Sequence, residues 1–279
     1  MHTQLNREGV SESIGYLIIF GLILTGIGLI TLYGYPLLMQ QESSANLRNM
    51  EQTMIVLQND IKSLTYKLAN YKETSLRVSG GSLFSATNLD TPQKFRIQSV
   101  LPDASIPPTD FFPGEIRYLS TSDNTVITLE NGAVIMKPLG TNGSVMLAEP
   151  RWYLDVDPDG KKTLIINYIS LGNWTANHNA VNMSQTGVGT VRMNHRQTLV
   201  WSRPSGDWPL SDGVIEIRYY PDNSATIMPD GYGLAWRTYL TDSNNLNMAW
   251  DGLDNPYTFT ITGLKNIVVK EYDIMVETL

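Results

Sequence analysis

Few side chains in this sequence are of the types that perform catalysis. The 279 residues include no cysteine and only three histidines, His2, His178 and His195. No serine-nucleophile elbow (GxSxG), zinc-binding helix motif (HExxH) or phosphate-binding glycine loop occurs. The lack of cysteine excludes disulfides, thiolate metal ligands and a cysteine nucleophile. We expect His178 and His195, each next to an asparagine, to be loop residues rather than general bases. The sequence therefore predicts neither an enzyme nor a cofactor.

An acidic motif, Asp155-x-Asp157-x-Asp159-Gly160, begins like a calcium-binding loop. Carboxylates at alternate positions supply oxygen ligands, and the glycine allows a sharp turn. The bidentate glutamate that such a loop needs at its twelfth position is replaced by Ile166. The same residues also suit a tight turn between two strands. We favour the hairpin turn and predict no metal site.

Three N-x-[ST] sequons are candidate glycosylation sites, at Asn142, Asn173 and Asn182. All three fall in predicted loops or strand ends of the C-terminal part. Sequons also arise by chance in a chain rich in asparagine, so the sequence leaves the glycosylation state open.

The net charge of the chain argues against nucleic acid as a general partner. The formal charge is -7, and the densest basic pair is Lys161-Lys162, which we place in a turn. Binding to a phosphate backbone requires clustered lysine and arginine side chains. This class of function is therefore excluded.

The chain is organised around Ser13–Gln41, twenty-nine consecutive residues without a charge. At about 1.5 Å per residue, about twenty helical residues cross a hydrocarbon layer of about 30 Å. A single span must be helical, because lipid offers the backbone no hydrogen-bond partners. The run is longer than the apolar core of a secretory signal peptide, and no small-residue cleavage site follows it. We divide this part into a leader, residues 1–12, and a transmembrane helix, residues 13–41, in which we expect Pro36 to cause a kink.

A heptad stripe follows the apolar run. Its members are three and four residues apart: Leu47, Met50, Met54, Leu57, Ile61, Leu64, Leu68 and Tyr71. This spacing predicts that the helix continues to about residue 73, with residues 42–75 as an amphipathic segment. Two arrangements would bury the stripe, a parallel coiled coil between protomers or the spine of a globular domain. We favour the spine, with a β-sheet on its apolar face, because the following chain is rich in strands.

Residues 76–279 predict an antiparallel β-rich domain, so the fold class is α+β, a long N-terminal helix carrying a β head. Short β-branched and aromatic runs alternate there with Gly, Asn, Asp and Pro. Asn131-Gly132 predicts a hairpin turn, and Asp157–Gly160 predicts a second. We place a long loop over Pro102–Pro113 and no helix after residue 75, and we leave sandwich or barrel open. The predicted strands are Phe95–Val100, Ile116–Ser120, Thr125–Leu129, Ala133–Lys137, Trp152–Val156, Thr163–Ser170, Thr198–Ser202, Val214–Tyr220, Gly233–Tyr239, Tyr257–Ile261, Ile267–Lys270 and Asp273–Glu277.

The residues around the start of the apolar run resemble a known family. Arg7–Tyr16 reads R-x-G-V-S-E-x-I-G-Y and leads straight into the apolar helix. This pattern resembles the N-terminus, with its class III signal peptide, of archaeal type IV pilin-like proteins. The later Gly34-Tyr35-Pro36 is similar to the methanogen and haloarchaeal branch of that family. The resemblance covers about the first forty residues, and the β head adds no specific match.

The resemblance implies processing and assembly. A prepilin peptidase would cut on the cytoplasmic side of the span, and Gly9-Val10 is the bond best placed for it. The family usually carries a glutamate at the fifth mature position, which pairs with the amino terminus of a neighbouring subunit. A cut after Gly9 makes Glu12 the third mature residue and the candidate for that role. The implied partners are the membrane, sister pilins, the peptidase, and a secretion ATPase with its platform.

Two functions are expected from the sequence and the resemblance together. The first is a structural subunit, major or minor, of an archaeal type IV filament or related surface assembly. The alternative is a single-span surface protein that binds or adheres through its β head and does not form filaments. In both, the N-terminus is cytoplasmic and the C-terminal domain is extracellular.

Overall fold

The computed structural model describes residues 7–67, 69–86, 93–100, 108–172, 183–204, 213–221, 231–242, 245–254 and 256–279. The chain divides into two compact units, Met1–Asn46 and Leu47–Leu279. We call the second unit the head. A long N-terminal helix is followed by a large, mainly antiparallel sheet, which confirms the predicted α+β class.

The N-terminal helical part has three segments, α1 (Arg7–Leu29), a π-helical turn (Ile30–Gly34) and α2 (Tyr35–Tyr66). In the π turn the backbone N–H of Tyr35 donates to the carbonyl of Ile30, five residues earlier. Pro36 has no N–H and its ring crowds the carbonyl four residues before it. The π turn, which is wider than an α-helical turn, therefore lies where Pro36 cannot donate the ordinary helical hydrogen bond.

The helix ends at Tyr66, so its predicted extension to about residue 73 is wrong. Strand β1 (Tyr71–Ala86) begins soon afterwards and includes Tyr71, the last member of the predicted stripe. From there burial follows a period of two, with Leu76 and Val78 buried and Arg77 exposed between them. Pairing of β1 with a distant strand therefore overrides the helical spacing. Leu68 lies outside the described residues.

Thirteen strands of the described residues form one hydrogen-bonded sheet with the order β3-β2-β11-β13-β10-β1-β4-β5-β6-β7. Strands β12 and β9 also pair with β13, and β8 pairs with β9. The β9–β13 pair is parallel and the other pairs are antiparallel. The remaining strands are β2 (Lys94–Ser99), β3 (Thr109–Phe111), β4 (Glu115–Ser120), β5 (Thr125–Glu130), β6 (Ala133–Pro138), β7 (Val145–Ala148), β8 (Trp152–Val156), β9 (Lys162–Gly172), β10 (Met183–Pro204), β11 (Gly213–Tyr220), β12 (Ala249–Asp254) and β13 (Tyr257–Thr278).

Both predicted hairpins are confirmed. Strands β5 and β6 are joined by Asn131-Gly132, whose φ angles of 48° and 73° belong to a type I′ turn. Strands β8 and β9 pair across the Asp157–Gly160 turn. The last three predicted strands are parts of the single long strand β13. The predicted loop Pro102–Pro113 is wrong at Thr109–Phe111, which forms β3, because Phe111 is buried opposite Phe95 of β2; residues 101–107 lie outside the described residues.

The strand predicted at Gly233–Tyr239 is wrong, and so is the absence of helix after residue 75. This segment forms helix α3 (Gly233–Thr241). Its buried apolar side chains lie three and four apart, which is the spacing of one helix face. They are Tyr232, just before the helix, and Ala235, Trp236, Tyr239 and Leu240.

The head has two apolar cores. The helix core buries Met50, Met54, Leu57, Ile61 and Leu64 of α2 against residues of β1, β4, β5, β9, β10 and β13. The aromatic core contains α3 and residues of β2, β8, β9 and β11. All six residues of β5 are buried, because its side chains enter both cores in alternation. From Met50 to Leu64 the heptad stripe is thus the spine of the head, which confirms that interpretation over the coiled coil.

Candidate functional site

The apolar helix is the feature with the clearest functional implication. Of the described residues, one helix, Ile14–Tyr66, is long and apolar enough to cross a membrane. None of its most apolar stretch is buried within the protein. Large apolar side chains are exposed all around it, including Leu17, Phe20, Leu22, Ile23 and Leu32. A helix apolar on every face is matched to lipid rather than to water.

Two hydroxyl groups of the apolar stretch form hydrogen bonds within the helix. The hydroxyl of Thr25 donates to the carbonyl of Gly21 at 2.8 Å, and that of Thr31 donates to the carbonyl of Ile27 at 2.9 Å. A buried hydroxyl costs little free energy once it is hydrogen-bonded. The two threonines are therefore compatible with an apolar surrounding.

The predicted processing and assembly residues Gly9, Val10 and Glu12 all lie within α1. Their side chains lie outside the described part of the structure, which gives side-chain surroundings from Ile14 onward. The cleavage of Gly9-Val10 and the role of Glu12 stay predictions.

The structure describes one of the three sequons. Asn142 is exposed after β6, which makes its amide accessible. The hydroxyl of Ser144 in the same sequon is buried and accepts a hydrogen bond from the backbone N–H of Ala235, at 2.9 Å. Asn173 and Asn182 lie outside the described residues.

The acidic motif forms the predicted hairpin turn. The Asp157 carboxylate accepts a hydrogen bond from the Lys161 N–H at 2.7 Å, and Gly160 adopts a φ of 78°. Asp159 forms an ion pair with Lys161 at 3.6 Å. Within the described ranges, no group of three or more His, Asp or Glu side chains is arranged to hold a metal ion.

His195 lies in strand β10, so its placement in a loop is wrong. The pairing of β10 with β13 includes this residue, opposite Ile274. Its ring Nε2 is 2.8 Å from the hydroxyl oxygen of Thr198, which is within hydrogen-bond distance. His2 and His178 lie outside the described residues.

The structure contains a pair of buried glutamates that the sequence did not predict. Glu115 of β4 and Glu130 of β5 are directly opposite each other in the sheet, and both are 0% exposed. Glu115 forms an ion pair with Arg117 and accepts hydrogen bonds from the hydroxyls of Thr128 at 2.7 Å and Tyr232 at 2.8 Å. Two carboxylates at opposed positions repel each other when both are ionised.

Glu130 has fewer partners than Glu115. One of its carboxyl oxygens, Oε1, accepts a hydrogen bond from the indole N–H of Trp236 at 3.0 Å. Burial, and then the charge of Glu115, raises the pKa of Glu130 to about 8. No local sequence signal marks the pair, because Glu115 begins its strand and Glu130 ends its strand.

The sequence profile of a family of unknown function (DUF7289) matches residues 8–212, more than half of the chain. The match begins at the start of the apolar helix and includes the strands up to β10. No curated protein and no solved structure matches the chain.

Proposed function

The chain belongs to this family of unknown function (DUF7289), and we propose that it is a single-span membrane protein whose β head functions at the cell surface. The carrying observation is the apolar stretch of the N-terminal helix, which is wholly exposed on the protein. Exposure of so many apolar side chains to water would be unfavourable at about 25 cal/mol per Å². A bilayer removes that cost. The N-terminus would remain in the cytoplasm and the head would lie outside.

We further propose that the protein is a pilin-like subunit of an archaeal type IV filament or related surface assembly. The support is the R-x-G-V-S-E pattern at the start of the span and the order of apolar helix, amphipathic helix and β head. Its partners would be sister subunits, a prepilin peptidase, and a secretion ATPase with its platform. In this role the protein acts by assembly rather than as an enzyme.

A second candidate is a surface-anchored binding or adhesion protein that never forms filaments. The burial of the heptad stripe in the helix core favours it. Those side chains already pack against the sheet of their own head, so they do not serve contacts between subunits. Only the apolar run then remains for helix-to-helix assembly.

Mass spectrometry of the N-terminus of the protein purified from its native cells tests the filament proposal. We expect a mature chain that starts at Val10, because the peptidase would cut after Gly9. The Gly9→Val variant should keep its leader. A surface protein that starts at Met1 or His2 would contradict processing and favour the second candidate.

The role of Glu12 is tested by Glu12→Ala. We expect loss of filaments in electron micrographs with the protein amount in the membrane unchanged, because a carboxylate desolvated among apolar helices needs a cationic partner. The matched control is Glu42→Ala, which removes the glutamate just after the same apolar run and should leave filaments intact. Filaments of normal number in the Glu12 variant would refute an assembly role for this residue.

A further inference from the structure

The attachment of α3 to the sheet depends on the two buried glutamates. Trp236 of α3 donates to Glu130, and Tyr232, which precedes the helix, donates to Glu115. Other links do not involve these glutamates. The backbone N–H of Ala235 donates to the hydroxyl of Ser144, the hydroxyl of Tyr239 lies 3.3 Å from the carbonyl oxygens of Pro150 and Trp152, and Arg237 forms an ion pair with Asp254. The links of Trp236 and Tyr232 are the ones whose strength depends on the state of the two carboxyl groups.

The charges around the pair do not balance when both glutamates are ionised. Arg117 is the cation that pairs with Glu115. Lys137 of β6 lies opposite Val126, toward the other end of β5, and donates to the carbonyl of Thr141 at 2.9 Å. The other titratable groups that face Glu130 are the phenols Tyr168 of β9, Tyr219 of β11 and Tyr232. If the two carboxyl groups share one proton, the pair carries a single negative charge. The positive charge of Arg117 balances it.

Hydrogen bonding indicates which glutamate carries that proton. Glu115 accepts from three donors, the guanidinium of Arg117 and the hydroxyls of Thr128 and Tyr232. Glu130 accepts a hydrogen bond from Trp236 at Oε1, and the hydroxyl of Tyr219 faces its carboxyl group. That hydroxyl also lies beside the backbone of Tyr232. A proton on Oε2 gives Glu130 a donor for that hydroxyl and removes the repulsion from Glu115.

We propose that Glu115 and Glu130 form a one-proton carboxyl pair that fastens α3 to the sheet, and that loss of the proton releases α3. The proposal concerns the head alone and is independent of the proposed cellular function. The raised pKa of Glu130, about 8, agrees with a proton held at neutral pH. When α3 opens, water reaches Glu130 and its pKa returns towards the ordinary value near 4.5. Opening therefore releases a proton between about pH 5 and pH 8, and it becomes easier as the pH rises in that range.

Hydrogen–deuterium exchange of the full chain in detergent micelles tests the proposal. The measured quantity is the protection factor of amides in residues 233–241, corrected for the intrinsic pH dependence of exchange. We expect protection to fall by about tenfold per pH unit between pH 5 and pH 8 and to level off above that. Amides of β5 and β6 should lose less protection than those of α3, because the release is local.

The Glu130→Gln variant should show an α3 protection that no longer depends on pH, since glutamine keeps the acceptor for Trp236 and cannot ionise. The matched control is Glu149→Gln, at an exposed glutamate, which should keep the wild-type profile. A flat profile in the wild-type protein would overturn the proposal without any variant. An unchanged slope in Glu130→Gln would overturn it as well, because another group would then carry the proton.

Discussion

Leu57→Asp is expected to unfold the head, with a loss of at least about 4 kcal/mol in the free energy of unfolding. Leu57 is 0% exposed and lies in the middle of the α2 face that forms the helix core. Removing a buried leucine side chain costs about 2–5 kcal/mol, and an unpaired carboxylate in the same place adds to that cost. The measurement is urea-induced unfolding of the full chain in detergent micelles, followed by near-ultraviolet circular dichroism.

The matched control is Val56→Asp, at the preceding residue of the same helix. Val56 is 47% exposed, so the same charge remains in contact with water. We expect its unfolding free energy to stay within about 1 kcal/mol of the wild-type value. Equal and small effects at both positions would show that α2 does not pack on the sheet. A change of oligomeric state in Leu57→Asp, with the head still folded, would restore the coiled-coil interpretation.

The parts of the fold that the sequence predicts correctly depend on local chemistry. The Asn131-Gly132 turn needs two residues with positive φ, and asparagine and glycine adopt that conformation with little strain. The glycine has a packing reason as well, because a Cβ at Gly132 would lie 2.8 Å from Cδ1 of Ile169. The stripe of α2 is visible in the same way, since its apolar spacing is the spacing of one helix face.

The end of α2 and the presence of α3 depend instead on contacts between distant residues. Tyr71 continues the heptad spacing, yet it pairs with Asn194 of β10 and becomes part of a strand. The segment Gly233–Thr241 is short and contains tryptophan, tyrosine and threonine, which favour strands. The segment is helical because a helix places its buried residues on one face that packs in the aromatic core. The three- and four-residue spacing of those apolar residues was the sequence signal for this helix.

The buried glutamates could not be found from local sequence. Each stands at one end of a strand, where a charged residue is ordinarily solvated. Their partners come from α3 and the residue before it, which are distant in the sequence. Tyr232 is 117 residues from Glu115, and Trp236 is 106 residues from Glu130. The apolar helix, in contrast, was predictable almost completely, because a helix in lipid would meet the same requirement at every residue of the run.

Two aspartates in the middle of the span, in the variant Ile23→Asp with Ile27→Asp, are expected to abolish membrane anchoring. Each charged residue at the centre of a transmembrane helix costs about 3 kcal/mol on insertion, and each replaced isoleucine removes a favourable contribution. The pair should therefore oppose insertion by about 6–8 kcal/mol. The measurement is the fraction of protein that stays with membranes after alkaline carbonate extraction and flotation, which should fall from nearly all to nearly none.

The matched control is Gln40→Asp with Ser44→Asp, which adds the same charges at the same four-residue spacing around the end of the apolar run. We expect this variant to stay in the membrane, because its charges lie at the end of the span, where they can reach water. The head of the released Ile23/Ile27 variant should keep the wild-type urea midpoint, since both of its cores are built from residues after Leu47. Continued membrane integration of that variant would contradict the anchor, while release with an unfolded head would show that the head needs the span to fold.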